Sequence, residues 1–153
     1  MVEAIQKAKK PLICAGGGVV LGHAEPVMQA FCEKYSIPVV TTMMGVGSMP
    51  KRHPLFFGML GTNGKPYANR AVAESDLLII VGARVNDRSI GALSKLEQDR
   101  LIIHIDIDTA EIGKNIGPTI PLVGDARLIF ESLMEYDINV SFEEWVERLR
   151  NIK

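Results

Sequence analysis

The sequence is poor in cysteine and histidine, and each scarcity excludes a class of protein. Two cysteines, Cys14 and Cys32, are too few for a disulfide scaffold or a zinc cluster, and both are expected to be small buried hydrophobes. The three histidines are scattered without metal-ligand spacing, so no metal site is expected within the chain. A net charge of -1 indicates neither a nucleic acid nor a membrane surface as a partner.

Long apolar runs are also missing. None reaches the roughly 20 residues that a bilayer span needs, and the start MVEAIQKAKK is amphipathic and charged, unlike a signal peptide. We therefore expect a cytoplasmic protein without a membrane partner. Hydrophobic residues make up 47% and charged residues 23%, which are globular proportions. The length of 153 residues suits a single domain over 1–153, with a core at about 10–136 and a C-terminal helix at 142–152.

Apolar runs alternate with helical patterns along the chain. DLLIIVGA and RLIIHIDI are apolar almost throughout, as strands of a parallel sheet covered on both faces are. Further strands are predicted at PLICAGG, IPVVTT, LFFG and PLVGDA, and helices from Ala24, from Pro66, over ARLIFESLMEY and over SFEEWVERLRNIK. In the last helix, Ser141 and Glu144 form a capping-box pattern. The alternation predicts an α/β fold with a doubly wound parallel, Rossmann-like sheet in a single domain.

Ligands of such a sheet bind beyond the carboxyl ends of its strands. The loops at those ends read AGGGVVLG, TTMMGVGSMP, GMLGTNG, VGARVNDR, HIDIDTAEIGKN and LVGDA, and glycine recurs in them. A single glycine often does no more than end a strand. Its recurrence along one predicted edge favours a site where the backbone approaches phosphate and ribose closely.

Two common nucleotide motifs are absent. Leu21 stands where the third glycine of G-x-G-x-x-G should be, and the second strand ends in Thr41 and Thr42 where an acid should hold the adenine ribose of NAD. The GK pairs are followed by Pro66 and Asn115, so there is no P-loop. No G-x-S-x-G motif and no acid pair of diagnostic spacing is present either. The chain is therefore interpreted as a binding domain without catalytic residues.

Charged residues in two of the loops allow more than one interpretation. Arg84 and Arg88 can present guanidinium groups to a pyrophosphate or a carboxylate, or they can pair with acids of the same edge, namely Asp87, Asp106 and Asp108. Asp106 and Asp108 can bind ribose hydroxyls or simply cap the end of a strand. Asp125 precedes a helix and is better interpreted as its N-cap than as a catalytic acid.

Taken together, the motifs resemble a known family. PLICAGGGV, PVVTTMMGVGSMP, HPLFFGMLGTNG, YANRAVAESDLLIIVGARVNDR, IIHIDIDTAEIGKN and VGDA occur in the order found in the central domain of the large catalytic subunit of acetolactate synthase, also called acetohydroxyacid synthase. The resemblance extends from Lys10 to about Tyr136. The segment IDIDTAEIGKN argues for the biosynthetic, FAD-containing branch of these enzymes.

The resemblance implies a three-domain parent enzyme that condenses two pyruvates, or pyruvate and 2-ketobutyrate, in branched-chain amino-acid biosynthesis. Thiamine diphosphate and magnesium are held there by the other domains, so the sequence is expected to be an excised central domain that is inactive alone. The expected partners are the other domains of the same subunit, within a homo-oligomer that also binds a small regulatory subunit.

The resemblance also implies that this domain binds FAD in an extended pose, without a redox part in the main reaction. Contacts are carried over position by position to the loops at the carboxyl edge: Gly16, Gly17, Thr42, Met43, Met44, Leu60, Gly61, Gly82, Ala83, Arg84, Arg88, Asp106, Ile107, Asn115, Gly124, Asp125 and Ala126. The last three lie on the adenine side.

Some positions depart from the family pattern. Thr62 and Asn63 replace a Met-His pair beside the flavin ring, and Val85 and Asn86 replace an aromatic residue and an acid. Two other functions are therefore weighed. One is a purely structural middle domain of another thiamine-diphosphate-dependent enzyme, without FAD. The other is a free-standing sirtuin-like deacylase, which would need a catalytic histidine in a peptide cleft and usually a zinc module.

Overall fold

Six parallel strands form one sheet in the computed structural model, which describes residues 1–85, 100–114 and 120–153. They are β1 (Pro11–Ala15), β2 (Val39–Thr41), β3 (Phe56–Met59), β4 (Leu77–Val81), β5 (Leu101–Asp106) and β6 (Ile120–Val123). Their order is β3-β2-β1-β4-β5-β6, so the direction of winding reverses between β1 and β4. The predicted α/β, doubly wound parallel sheet is confirmed.

The central strands are apolar because both of their faces are covered. Every residue of β1 and β4 is buried, and Ile13 lies beside Ile79 in the register that joins them. The outer strand β6 alternates between half-buried and exposed residues and contains Pro121, which lacks an N–H donor and is tolerated at a sheet edge. The pattern of burial therefore identifies β1 and β4 as the centre of the fold.

In the described part of the chain, helices lie between several of the strands and at both ends. They are α1 (Val2–Lys7), α2 (Gly17–Leu21), α3 (Glu25–Tyr35), α4 (Pro66–Glu74), α5 (Ala126–Met134) and α6 (Glu143–Ile152), with a 3-10 turn at Met43–Gly45. Pro66 occupies the first turn of α4, where its missing N–H costs nothing. The short α2 was predicted only as a loop. Among the described helices, none is long and apolar enough to cross a membrane.

Two predicted helix caps have different outcomes. The Asp125 side chain accepts a hydrogen bond from the Leu128 amide at 3.2 Å, so its predicted N-cap role in α5 is confirmed. The capping box at Ser141 is wrong, because the N-cap of α6 is Phe142 and no side chain caps that helix. Phe142 is buried and its amide donates to the Tyr35 carbonyl at 3.1 Å, so a tertiary contact sets the start of α6 one residue later.

The core joins the sheet to α3, α5 and α6. Phe31 of α3 lies 5.3 Å from Phe130 of α5, centroid to centroid, and Trp145 of α6 donates its indole N–H to the Pro11 carbonyl at 3.0 Å. Cys14 and Cys32 are fully buried, as predicted, and burial raises the pKa of the Cys14 thiol to about 12. Burial also raises the pKa of Cys32. Both thiols therefore act as small apolar side chains.

Candidate functional site

The loops that follow β1 and β4 pack backbone against backbone at the point where the winding reverses. The Gly16 amide donates to the Val81 carbonyl at 2.8 Å, and the Gly18 amide donates to the Gly82 carbonyl at 2.9 Å. A Cβ on Gly16 would lie 2.4 Å from the Gly82 oxygen, and Gly82 itself has a φ of 57°. Glycine is required here because two loops meet, which is a different reason from the predicted approach of a ligand.

A cleft of about 880 Å³ opens beside this junction, over the carboxyl ends of β1 to β4. Its volume is within the range of small-molecule and cofactor sites. The residues that line it are Gly17, Gly18, Leu21, Thr42, Met43, Met44, Met59, Leu60, Thr62, Asn63, Gly82, Ala83 and Arg84. The cleft therefore occupies the position at which open α/β sheets bind their ligands.

One wall of the cleft is apolar and accessible. Leu21 is 84% exposed, Met43 is 68% exposed and Met44 is 77% exposed, although side chains of this kind are normally covered. Gly17 allows Met44 to approach, since a Cβ on Gly17 would lie 3.1 Å from the Met44 Cβ. Flexible thioether side chains adapt to flat apolar ligands. This wall therefore suits an uncharged, ring-containing part of a ligand.

A charged group stands at the cleft as well. The side chain of Arg84 is 82% exposed, and its Nε lies 3.8 Å from Oε1 of Glu111. Of the acids that the loop-organising interpretation of Arg84 named, Asp87 lies outside the described residues, and the ion pair that the described residues show is with Glu111. An ion pair of this length at such an exposed side chain is weak, so a phosphate can compete with it.

The carboxyl ends of β5 and β6 lie beyond the residues that line the cleft. Asp106 is 9% exposed, its carboxylate accepts the Asp108 amide at 2.9 Å, and its carbonyl accepts the Gly124 amide at 3.0 Å. The strand-capping interpretation of Asp106 is therefore observed. Ile107, next to it, is 73% exposed. Ribose binding by Asp106 stays a prediction.

His104 connects these two parts of the edge. It is fully buried, its Nε2 donates to the Ala83 carbonyl at 3.1 Å, and the same nitrogen lies 3.9 Å from Oδ2 of Asp106. Its Nδ1 has no partner among the residues that the structure describes. Burial lowers the pKa of His104, against the Ala83 hydrogen bond and the charges of Asp106 and Glu111. The imidazole is therefore neutral at pH 7, and its hydrogen bond to the Ala83 carbonyl holds the loop that follows β4.

The predicted site residues divide into three groups. Those that line the cleft are Gly17, Thr42, Met43, Met44, Leu60, Gly82, Ala83 and Arg84. Those described but away from its lining are Gly16, Gly61, Asp106, Ile107, Gly124, Asp125 and Ala126. Arg88 and Asn115 lie outside the described residues. Within the described part of the chain, no group of His, Cys, Asp and Glu could hold a metal ion.

Sequence reasoning missed some of the cleft. Gly18, Leu21 and Met59 line it but were not among the predicted contacts. Leu21 was noticed only as a break in the dinucleotide fingerprint. Its place five residues after Gly16, in the first loop at the carboxyl edge, was the available signal, but only the turn of α2 brings its side chain to the cleft.

The fold and the cleft are those of an α/β ligand-binding domain, and a family model identifies the class of protein. The chain belongs to the family of thiamine pyrophosphate enzyme central domains, whose model matches residues 1–133.

Within that class, the chain is similar to particular enzymes. It is 41% identical over 164 residues to a probable acetolactate synthase large subunit of Methanococcus aeolicus, a match that covers 99% of this chain and 27% of that protein. A probable acetolactate synthase large subunit of Methanocaldococcus jannaschii is 43% identical over 154 residues, 99% of this chain and 26% of that protein. The acetolactate synthase large subunit of Corynebacterium glutamicum is 43% identical over 157 residues, 99% of this chain and 25% of that protein. The chain thus spans about a quarter of the length of these relatives.

Proposed function

We propose that this chain is the central, FAD-binding domain of an acetolactate synthase large subunit. The complete enzyme would condense two pyruvates, or pyruvate and 2-ketobutyrate, in branched-chain amino-acid biosynthesis. The observation that carries the proposal is the open cleft at the reversal point of a domain that belongs to the thiamine pyrophosphate enzyme family and is similar to these large subunits over 99% of its length.

The chemistry of the cleft fits FAD. The backbones of Gly17, Gly82 and Ala83 would lie along the cofactor, and the Arg84 guanidinium would bind its pyrophosphate by charge-assisted hydrogen bonds. Met43 and Met44 offer an apolar surface to its uncharged part. FAD has no redox part in the main reaction of the enzymes that the chain resembles, so this domain would bind and order it without transferring electrons.

Two of the four departures from the family pattern fall in the cleft. Thr62 and Asn63 line it, so their hydroxyl and amide groups would replace the Met-His pair beside the flavin ring. Val85 is 3% exposed and packs into the core, and therefore this substitution changes packing instead of a ligand contact. Asn86 lies outside the described residues. We expect the adenosine diphosphate half of FAD to supply most of the affinity.

Catalysis would require the rest of the subunit. Thiamine diphosphate and magnesium would be bound by domains beyond this chain, and the described residues supply no candidate acid, base or nucleophile in the cleft. The domain alone would therefore not turn over pyruvate. In the complete enzyme it would contact the other domains of its subunit, in a cytoplasmic homo-oligomer with a small regulatory subunit.

A thermal-shift titration with FAD, ADP and NAD tests the proposal. Ligands that bind only the folded state stabilise it, by about 2.7 kcal/mol at a hundredfold excess over Kd, or roughly 8 °C in a chain of this size. We expect FAD to raise the Tm most, and ADP and NAD, which share only its adenosine diphosphate half, to raise it less. In Arg84→Ala the Kd for FAD and for ADP should rise about tenfold, because a charge-assisted hydrogen bond is lost.

Arg127→Ala is the matched control for Arg84→Ala. Arg127 is half exposed on α5, where its Nε lies 3.9 Å from Oε1 of Glu131, so its removal changes the charge equally without touching the cleft. Equal weakening of ligand binding in both variants would show that the effect of Arg84→Ala comes from the change in net charge alone. No shift with FAD or ADP would instead favour a structural middle domain that does not bind FAD.

A further inference from the structure

The loop after β3 forms one end of the cleft and contains a residue in a left-handed conformation. Gly61 has a φ of 106°, and Thr62 and Asn63, which follow it, line the cleft. The turn closes where the Gly64 amide donates to the Gly61 carbonyl at 3.0 Å. The position of Gly61 therefore sets the position of the two polar residues at this end.

Backbone hydrogen bonds fix both ends of this loop. The Leu60 amide donates to the Thr41 carbonyl at 2.9 Å, and the Lys65 amide donates to the Met59 carbonyl at 2.8 Å. Between those ends, Gly61 is buried; its carbonyl already accepts from the Gly64 amide, and its own amide needs an acceptor.

The side chain of Asn69 supplies that acceptor and a second donor to the carbonyl. Oδ1 of Asn69 accepts from the Gly61 amide at 2.8 Å, and Nδ2 of Asn69 donates to the Gly61 carbonyl at 3.0 Å. Asn69 lies within α4, where asparagine costs about 0.5 kcal/mol relative to alanine. Asparagine in a helix usually competes with the helix for backbone hydrogen bonds. Here its side-chain amide bonds to a neighbouring loop through both its oxygen and its nitrogen, which explains its presence in an unfavourable position.

We infer that Asn69 is a positioning residue for the ligand cleft. It does not line the cleft itself, but it holds Gly61 and thereby sets where Thr62 and Asn63 stand. This inference rests on the proposed function, which places the flavin end of FAD at this loop. Loss of Asn69 should therefore affect FAD, which reaches this end, far more than ADP, which does not.

The first measurement uses the chain without any ligand. Amide hydrogen exchange at Gly61 is compared in the wild type, Asn69→Ala, Asn69→Asp and Arg70→Ala. Asn69→Ala should speed exchange at Gly61 about tenfold, because the amide loses its acceptor. Asn69→Asp keeps an acceptor for the amide but sets a carboxylate against the Gly61 carbonyl, so its effect should be intermediate. Arg70→Ala is the control on the same helix, since Arg70 bonds only to Glu74 among the described side chains.

The second measurement compares ligands. In Asn69→Ala the Kd for FAD should rise about tenfold while the Kd for ADP stays within about twofold, and Arg70→Ala should change neither. A merely structural role would weaken FAD and ADP equally, and that result would overturn the inference. Unchanged exchange at Gly61 would overturn it as well. If the wild type binds neither ligand, the proposed function fails, and the exchange rate at Gly61 alone decides whether Asn69 positions the loop.

Discussion

The two edges of the central sheet use their residues in different ways. At the amino ends of β1 and β4, polar groups pair within the protein: the Asp76 carboxylate accepts the Lys9 and Lys10 amides, each at 2.8 Å, and Trp145 donates to the Pro11 carbonyl. At the carboxyl ends of the same strands, glycines meet and a cleft opens. The amino edge is therefore built for stability, and the carboxyl edge leaves room for a ligand.

The contrast extends to the neighbouring elements. At the amino edge, the guanidinium of Arg100 donates to the carbonyls of Val72 and Ala73 and so satisfies the end of α4. A pocket of about 480 Å³ near the start of β5 and β6 lies against α1 and Tyr136, away from the reversal point. At the carboxyl edge, by comparison, Met43 and Met44 remain mostly exposed beside Arg84. Substitutions at the amino edge should therefore change stability without changing ligand binding, whereas those at the carboxyl edge can change both.

The largest effect is expected from Gly45→Ala, at the carboxyl edge. A Cβ on Gly45 would lie 2.0 Å from the Ala15 oxygen, and backbone atoms on both sides must move to relieve that overlap. We expect a loss of about 3 kcal/mol in the free energy of unfolding, measured by urea denaturation. Gly124→Ala is the control, because its Cβ would meet only the end of the flexible Ile129 side chain at 3.3 Å. Equal losses in the two variants would contradict the close approach at Gly45.

A smaller effect, confined to stability, is expected from Asp76→Ala at the amino edge. The variant loses both hydrogen bonds from the Lys9 and Lys10 amides, which should cost about 2 kcal/mol. The Kd for FAD should stay within about twofold of the wild-type value, because Asp76 lies at the opposite end of the sheet. Asp137→Ala, an exposed acid, controls for the change in charge. A large change in Kd would break the separation between the edges.

The smallest effect is a change in pH dependence from His104→Gln. Because burial lowers the pKa of His104 in the folded state from its usual 6.5, the unfolded chain binds the proton more readily, and stability falls as the pH drops below 6.5. Glutamine cannot take up that proton, so the free energy of unfolding of the variant should vary less between pH 7 and pH 5. Hydrogen bonds from His53 and Arg70 lower the pKa values of Glu33 and Glu74. The stability that these two carboxylates contribute to the fold is therefore lost only as the pH falls below about 4.5. Parallel pH profiles for both chains would contradict the assignment.

Much of the fold could be predicted because apolar runs and loop chemistry are local. DLLIIVGA and RLIIHIDI are parallel strands, Pro66 begins a helix, and Asp125 caps one. The Ser141 cap failed because the burial of Phe142 against α3 overrode a local signal. A pattern four residues long contains no information about that tertiary contact.

The site was less accessible to sequence reasoning. The resemblance and the glycine loops indicated the edge at which the cleft lies, and eight predicted residues line that cleft. The role of Gly16 in loop packing and the ion pair of Arg84 with Glu111 depend on distances between segments far apart in the chain, and the support from Asn69 depends on the position of α4 beside the loop after β3. Such distances follow only from the order and register of the strands.

The most direct test of the difference between the edges is a map of amide hydrogen exchange with and without saturating FAD. Bound FAD should slow exchange at Gly17, Met44 and Ala83 in the loops of the carboxyl edge, and leave Lys9, Lys10 and Leu101 at the amino edge unchanged. Protection at the amino edge, or equal protection of both edges, would contradict a ligand site at the carboxyl ends of β1 to β4.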